Sequence, residues 1–492
     1  MPSPKHIHCF PNEILYHIFQ ETFHDTASAP SLTQAPFNIS QVCGRWRNIA
    51  LHPAFWSDIV LSDPSLRVVS LFNLFLERAL CRAGSRPLSV TYLGKRNDRL
   101  QNGHRPMTQA DSNELQFMRL LTSSIDAQRT VWREVDLNFR FCGTLRFDLE
   151  LIRQGRIMGL GPLPFVERLS LAAPIDCCKH LQSHLDLSES VHLRELYLRG
   201  YWAVFLDSSL LASNHGHPLP SLTTLEIDCN SNTGSFSPRF QCLHLLSHAP
   251  KLQSLTVRST SKEFPPPLPD LTAVRLENLR RFRVITAAGQ TGTITSFLLC
   301  IECPALRQLV VHSPIDEPGD EPISSYLAFG IAGLLQNSRC ALEVLKIHSH
   351  EISEEGLICC LLVVPTLRSL VISGCGKLSE RILTILSAQL PEIGWSLDKM
   401  RKFVFDKWTF GSLNGRADMA EEMMKMIRTR WYNRLTPGEG LEVVLSDCGI
   451  DFGPDMREEL EIMIEEGLKF STTYDGLGAE FDDADYELLT DL

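Results

Sequence analysis

Cysteine and histidine pairs at short spacing are the residues of this chain best suited to chemistry. Cys300-x-x-Cys303 has the spacing of half a zinc site, but zinc takes four donors and no matching second pair is evident. The pair precedes Pro304 at the end of a helical pattern, which suits buried packing thiols. Cys177-Cys178-x-His180 and Cys359-Cys360 read the same way, and His6-x-His8 reads as a solvated flank. Glu354-Glu355 are adjacent carboxylates, but neighbours on a helix point about 100° apart. Their place is therefore the electropositive start of a helix. No Gly-rich phosphate loop, nucleophile elbow or HExxH occurs. The expectation is no catalytic residue, no metal and no cofactor. An enzyme built from residues that converge from distant segments remains an alternative.

Composition bounds the elements that hold these residues. The 492 residues are 44% hydrophobic and 21% charged, as in an ordinary soluble globular protein. That length suits a small module followed by an extended array. No apolar run reaches the roughly 20 residues of a membrane helix, and residues 1–9 lack a signal-peptide core. The fifteen cysteines are odd in number. An intracellular, reducing setting with free thiols is expected, cytoplasmic or nuclear. Of the net charge of −11, residues 475–492 carry seven acids and no base. The remainder has no dedicated basic face for nucleic acid. Lys399, Arg401, Lys402, Lys407, Arg428, Arg430 and Arg434 form a mildly basic region. It reads as a solvated face, a partner for the acidic tail or a contact for an acidic substrate.

An internal period dominates the rest. A leader residue is followed at +3 and +5 by apolar residues, beginning near Val131-Trp132 and running from Val166-x-x-Leu169-x-Leu171 to Leu367-x-x-Leu370-x-Ile372. Successive leaders are 27, 29, 30, 27, 27, 36 and 25 residues apart. Positions +3 and +5 share one face of a strand, and the intervening segment, helical at 240–249 and 356–363, would cover them. Such units close a core only by stacking. Leu441 to Leu445 would be the last strand and residues 455–468 a capping helix. Residues 64–83 and 115–125 are patterned as helices, 87–92 as a strand and 95–111 as a loop.

The N-terminal stretch is the most aromatic. Phe10-Pro11-Asn12-Glu13-Ile14-Leu15 and Ile18-Phe19 form one helical pattern opened by Pro11. Val42, Cys43, Trp46, Ile49 and Ala50 form a second, with Asn38 and Gln41 as a capping box and His52-Pro53 as its stop. Phe55, Trp56 and Ile59 add a third apolar cluster. Short helices cannot bury this surface among themselves. The surplus must meet the rest of the chain or another protein.

These residues carry a resemblance. Phe10-Pro11-x-Glu13-Ile14-Leu15, Ser40-x-Val42-Cys43-x-x-Trp46-Arg47 and Phe55-Trp56 resemble an F-box of the kind common in mushroom-forming fungi. Phe10 stands where Leu is usual, and the loop from His24 to Phe37 is long. Leu342 to Leu357 and Leu367 to Cys375 resemble cysteine-containing leucine-rich repeats, a type frequent behind F-boxes. The fold class implied is α/β, a three-helix F-box followed by an irregular leucine-rich-repeat solenoid. The boundaries are 6–61 for the F-box, 62–130 for connecting elements, 131–454 for the array, 455–474 for the cap and 475–492 for a disordered acidic tail.

The resemblance implies a function. F-box helices dock a Skp1-like adaptor held by a cullin, and the F-box protein itself does no chemistry. Matching the adaptor-facing motif are Pro11, Ile14, Leu15, Ile18, Val42, Cys43 and Trp46, while Phe19, Ile49 and Trp56 hold the helices together. The strand positions at +4, namely Tyr197, Glu226, Thr256, Val310, Lys346 and Val371, would face a protein substrate. The expected protein is a non-catalytic receptor of a ubiquitin ligase, with no nucleic-acid or membrane partner. A scaffold acting outside ubiquitin transfer is the alternative.

Overall fold

Two apolar residues on one face of each strand make a sheet whose covered side is continuous when the strands lie in register. The computed structural model shows this arrangement. It describes residues 10–24, 37–62, 76–93, 121, 123, 125, 131–138, 159–160, 163–172, 183–187, 189–199, 202–205, 219–228, 238–259, 273–286, 291–313, 326–349, 352–375, 379–387, 397, 399–407, 416–433 and 440–473. The chain divides into two compact units, the first mainly residues 1–228 and 240–251, the second mainly 252–492.

The first unit opens with helices α1 (Asn12–His24), α2 (Phe37–Val42) and α3 (Gly44–Ala50), then a 3-10 turn at Pro53–Phe55. Its parallel strands are β1 (Asp58–Ser62), β2 (Leu88–Leu93), β3 (Trp132–Asn138), β5 (Arg168–Ala172), β7 (Glu195–Arg199) and β9 (Thr224–Asp228), adjacent in that order. The intervening segments carry β4 (Gly159–Leu160), β6 (Ser183–Asp186) and β8 (Trp202–Phe205), which pair into a second small parallel sheet. Returns expected to be helical are thus extended in these copies. Val135, Leu169, Leu196 and Leu225 are fully buried and align strand to strand. Each large apolar side chain so buried contributes roughly 1.5–3 kcal/mol.

The second unit repeats the plan with β10 (Ser254–Ser259), β12 (Arg281–Thr286), β14 (Gln308–His312), β15 (Val344–His348), β16 (Ser369–Ser373), β17 (Lys402–Asp406), β18 (Glu442–Ser446) and β19 (Lys469–Thr473), all parallel. The two-residue strands β11 (Val274–Arg275) and β13 (Ile301–Glu302) pair beside them. Here most returns are helical, at Thr291–Leu299, Tyr326–Ser338, Glu354–Leu362, Glu380–Ser387, Arg416–Tyr432 and Pro454–Glu465. The first three of these helices pack in series.

Several expectations are corrected. The second N-terminal helical pattern is broken in two at Cys43, whose backbone is extended (φ −159°, ψ 169°) and whose Sγ accepts from the Trp46 amide at 3.4 Å as the cap of α3. Asn38 lies inside α2, so it does not open the helix as a capping box requires. Ile59 belongs to a strand paired with β2, so the parallel sheet begins two strands before Trp132. The helix at 454–465 is a return segment, because β19 follows it and pairs with β18. The array therefore extends one strand beyond Leu445. Cys177, Cys178, His180, His6, His8, Arg434, the loop at 95–111 and the tail 475–492 lie outside the described residues.

Candidate functional site

Helix α1 has two apolar edges set by its pitch. Ile14 and Ile18 are one turn apart on one side, and Leu15 and Phe19 are one turn apart on the next. Leu15 and Phe19 are buried, as are Ile49 and Trp56. Ile14 and Ile18 remain 43% and 38% exposed, and Val42 at the end of α2 is 54% exposed. Pro11 is exposed, with its carbonyl accepting from the Leu15 amide at 3.1 Å. Leu15 is a correction to the expected docking set: it faces the helices' own core and has no surface to offer. Cys43 and Trp46 are half-buried. Trp46 lies edge-on to Phe19 at 4.9 Å, so part of its ring belongs to that core.

Polar contacts fix the geometry. Arg45 Nε donates to Asn12 Oδ1 at 2.7 Å and its Nη2 donates to the Phe10 carbonyl, joining α3 to the start of α1. Arg47 Nε donates to the Ser40 carbonyl at 3.0 Å, joining α3 to α2. Tyr16 packs against His52 and Phe55 at 5.0 and 4.9 Å. The exposed apolar side chains thus sit on a braced frame. Phe10 and Leu51 are also exposed and apolar. Sequence patterning missed Leu51, whose only signal is its place one residue past the end of α3.

A family model for F-box-like domains matches residues 7–62. No curated protein matches the chain. The N-terminal stretch is an F-box-like domain, and at the family level such domains point to binding of a Skp1-type adaptor.

The six positions expected to face a substrate fall at equivalent points on the strands. Tyr197 and Glu226 are register partners on β7 and β9. Thr256, Val310, Lys346 and Val371 share one row, with Arg283 between the first two. Two of the six are not available. Glu226 is buried and ion-paired with Arg199 at 2.8 Å, and Val371 is 5% exposed, flanked in register by Lys346 and Val404. Tyr197 donates to Glu195 Oε2 at 3.1 Å, and burial followed by the Glu195 charge pushes its hydroxyl above the usual tyrosine range.

The remaining chemistry is structural. Cys303 is buried with its amide donating to Ser338 Oγ at 2.9 Å, and burial pushes its thiol well above the cysteine range. Among the described residues no group of three or more His, Cys, Asp or Glu could hold a metal. The basic region is largely committed within the chain. Lys402 pairs with Glu442 at 2.6 Å, Arg428 forks onto Glu459, and Arg430 donates to the Leu386 and Leu397 carbonyls at 2.6 and 2.9 Å. Glu354 accepts from the Ser379 amide and hydroxyl at 3.0 and 2.8 Å and from the Ile382 amide at 3.2 Å. It caps the following helix, while Ser353 caps its own by accepting from the Gly356 amide at 3.2 Å.

Proposed function

We propose that this protein is a non-catalytic substrate receptor of a Skp1–cullin–F-box ubiquitin ligase. The observation that carries the reading is the apolar edge formed by Ile14, Ile18 and Val42, held exposed on a frame whose other edge is packed. Leaving such side chains in water forgoes roughly 1.5–3 kcal/mol each, which a docking adaptor recovers. The repeats would form a leucine-rich-repeat-like solenoid of the type found behind fungal F-boxes. Their spacing near 29 residues and their aligned apolar rows support this reading. In this reading the open sheet faces take a protein substrate, and the adaptor brings the cullin and its ubiquitin donor within reach, inside the cell. No step of ubiquitin transfer falls to this chain.

Co-purification with a Skp1-like adaptor tests the reading. Ile14→Asp and Val42→Asp put a charge on the exposed edge without touching the core, so adaptor capture drops at least roughly tenfold while thermal unfolding stays at the wild-type midpoint. Capture of the adaptor at wild-type levels by both variants overturns it.

A further inference from the structure

Three consecutive return helices of the second unit, α4 (Thr291–Leu299), α5 (Tyr326–Ser338) and α6 (Glu354–Leu362), pack side by side. They run the same way, since each returns from one strand of a parallel sheet to the next. The Thr295 hydroxyl donates to the Tyr326 carbonyl at 2.8 Å, and the Cys360 thiol donates to the Ala328 carbonyl at 3.5 Å. A Cβ on Gly330 would fall 2.9 Å from the Thr295 backbone, and one on Gly356 would fall 2.3 Å from the Ala328 Cβ. The helices are therefore close and without slack, and their outer sides make one firm surface.

The inward positions are packed: Leu327, Ile331, Leu334 and Leu335 of α5 are buried. The outward positions are apolar as well. Tyr326 and Phe329 are 62% and 66% exposed, Leu362 is 40% exposed, and Cys359 one turn before it is exposed too. Neither α4 nor α5 holds a charged residue, and α6 holds only Glu354 and Glu355 in its first turn. Helices later in the same unit turn Glu421, Lys425, Glu458, Glu461 and Glu465 to solvent. A return helix needs apolar residues on one side only, and one that is apolar all round belongs in an interior.

Charge, shape and area select what covers this face. Away from Glu355 at its edge it offers no cation to an acidic peptide or an anionic lipid headgroup, and no carboxylate to a basic segment. Its occupant is therefore as uncharged as it is, and the same face of another copy meets that condition. An antiparallel two-fold contact centred over Ile331 sets Phe329 of each copy on Gly333 of the other, where no side chain stands and half-buried Leu299 closes the floor. The same centre sets the Tyr326 hydroxyl opposite the Gln336 amide, both exposed, so the two polar groups can hydrogen-bond. Antiparallel helices also oppose their dipoles. Helix α5 is about 20 Å long and its neighbours lie about 8–10 Å to either side. The face is thus on the order of 500 Å² per copy, or about 1,000 Å² for the pair, the lower bound for a specific interface. We propose that this face is a self-association surface through which two copies of the chain form a weak two-fold dimer. None of these helices lies in residues 7–62, so the inference stands or falls apart from the receptor reading.

Sedimentation equilibrium of the full chain across the micromolar range tests it. Wild type should rise from its 55.5 kDa monomer toward twice that mass as concentration increases. Phe329→Glu places two carboxylates across the axis and should weaken association at least roughly tenfold. Its thermal midpoint in dilute solution should match wild type, because the side chain it replaces is largely in water. Phe329→Lys should do the same. An equal mixture of the two variants should associate more strongly than either alone, as expected only of a face that meets its own copy. Tyr326→Asp, at a helix N-terminus that favours a carboxylate, reads the same loss if the variants at 329 do not fold. A wild type that stays monomeric throughout overturns the proposal, as does a dimer that these charges leave at wild-type strength. A mixture no stronger than its components, or a wild type that binds neutral phosphatidylcholine vesicles in preference to itself, assigns the face to another occupant and equally overturns it.

Discussion

The Trp56 indole nitrogen donates to the Ala50 carbonyl at 2.8 Å, tying the last residue of α3 to a side chain two residues before β1. The Arg82 guanidinium lies over the same ring at 4.1 Å. Trp56 is buried, and Ile59 just beyond it is buried in β1. The F-box-like helices and the first strand of the sheet are therefore one packed body, with no linker between them to absorb motion.

That joint should be costly to break. Trp56→Ala should destabilise the N-terminal unit by about 3–5 kcal/mol. Trp56→Phe keeps most of the ring and loses the hydrogen bond, and should cost about 1 kcal/mol from the bond itself. Hydrogen exchange at amides of α3, β1 and β2 reads both, because it reports local stability without assuming that the whole chain unfolds at once. If Trp56→Ala raised exchange only in α3, the helices and the sheet would be separate bodies.

The sheet was legible in the sequence because burial on one face imposes a two-residue period, and Leu345 with Ile347 or Leu370 with Ile372 satisfies it without interruption. The start of the sheet was not. Ile59 and Leu61 alternate as a strand should, but they follow Phe55 and Trp56 so closely that one apolar cluster hides two elements. Leu15 was misplaced for a related reason. Apolar residues at 14, 15, 18 and 19 mark a helix, and only packing decides which adjacent edge turns inward. The break at Cys43 was missed too: a thiol is an uncommon cap, and Gly44 beside it reads as a glycine tolerated inside one helical pattern rather than as the start of a second helix.

Glycine substitutions should separate two kinds of close approach between helices. A Cβ on Gly356 would overlap the Ala328 Cβ, which has no rotamer to escape into. A Cβ on Gly333 would overlap only Leu299 Cδ2, the end of a flexible side chain. Alanine gains up to about 1 kcal/mol over glycine inside a helix, against about 1–3 kcal/mol for overpacking. Gly356→Ala should therefore lower stability, and Gly333→Ala should leave it nearly unchanged. Thermal unfolding of the two variants side by side checks the order.

Thiol reactivity should follow burial. Burial pushes the Cys360 and Cys375 thiols up to about 12, so at pH 8 almost none of either is thiolate. Cys81 and Cys359 are exposed. Brief iodoacetamide treatment of the native protein should modify Cys81 and Cys359 and spare Cys303, Cys360 and Cys375, with all five modified after denaturation. Mass spectrometry of the digest reads each site. Early labelling of Cys360 beside its neighbour Cys359 would mean that the helix Glu354–Leu362 opens locally.

Glu354 and Glu355 are adjacent and share a charge and a helical turn, yet they should respond differently to the same mutation. Glu354 accepts from three donors at the start of the next helix, the Ser379 amide and hydroxyl and the Ile382 amide, which it shares with the Ser379 carbonyl at 3.3 Å. Removing a cap of this kind costs about 0.5–2 kcal/mol, and a charged acceptor places it toward the upper end. Glu354→Ala should therefore lower stability by about 1–2 kcal/mol and expose the amides of Glu380–Ser387 to exchange. Glu355 makes only the general interaction with its own helix terminus, so Glu355→Ala should cost about 0.5 kcal/mol or less. Glu354→Gln keeps an acceptor without the charge and should fall between them. Equal losses for the two alanine variants would mean that the carboxylates act only through the helix dipole and that the bridge from Glu354 to Ser379 carries no weight.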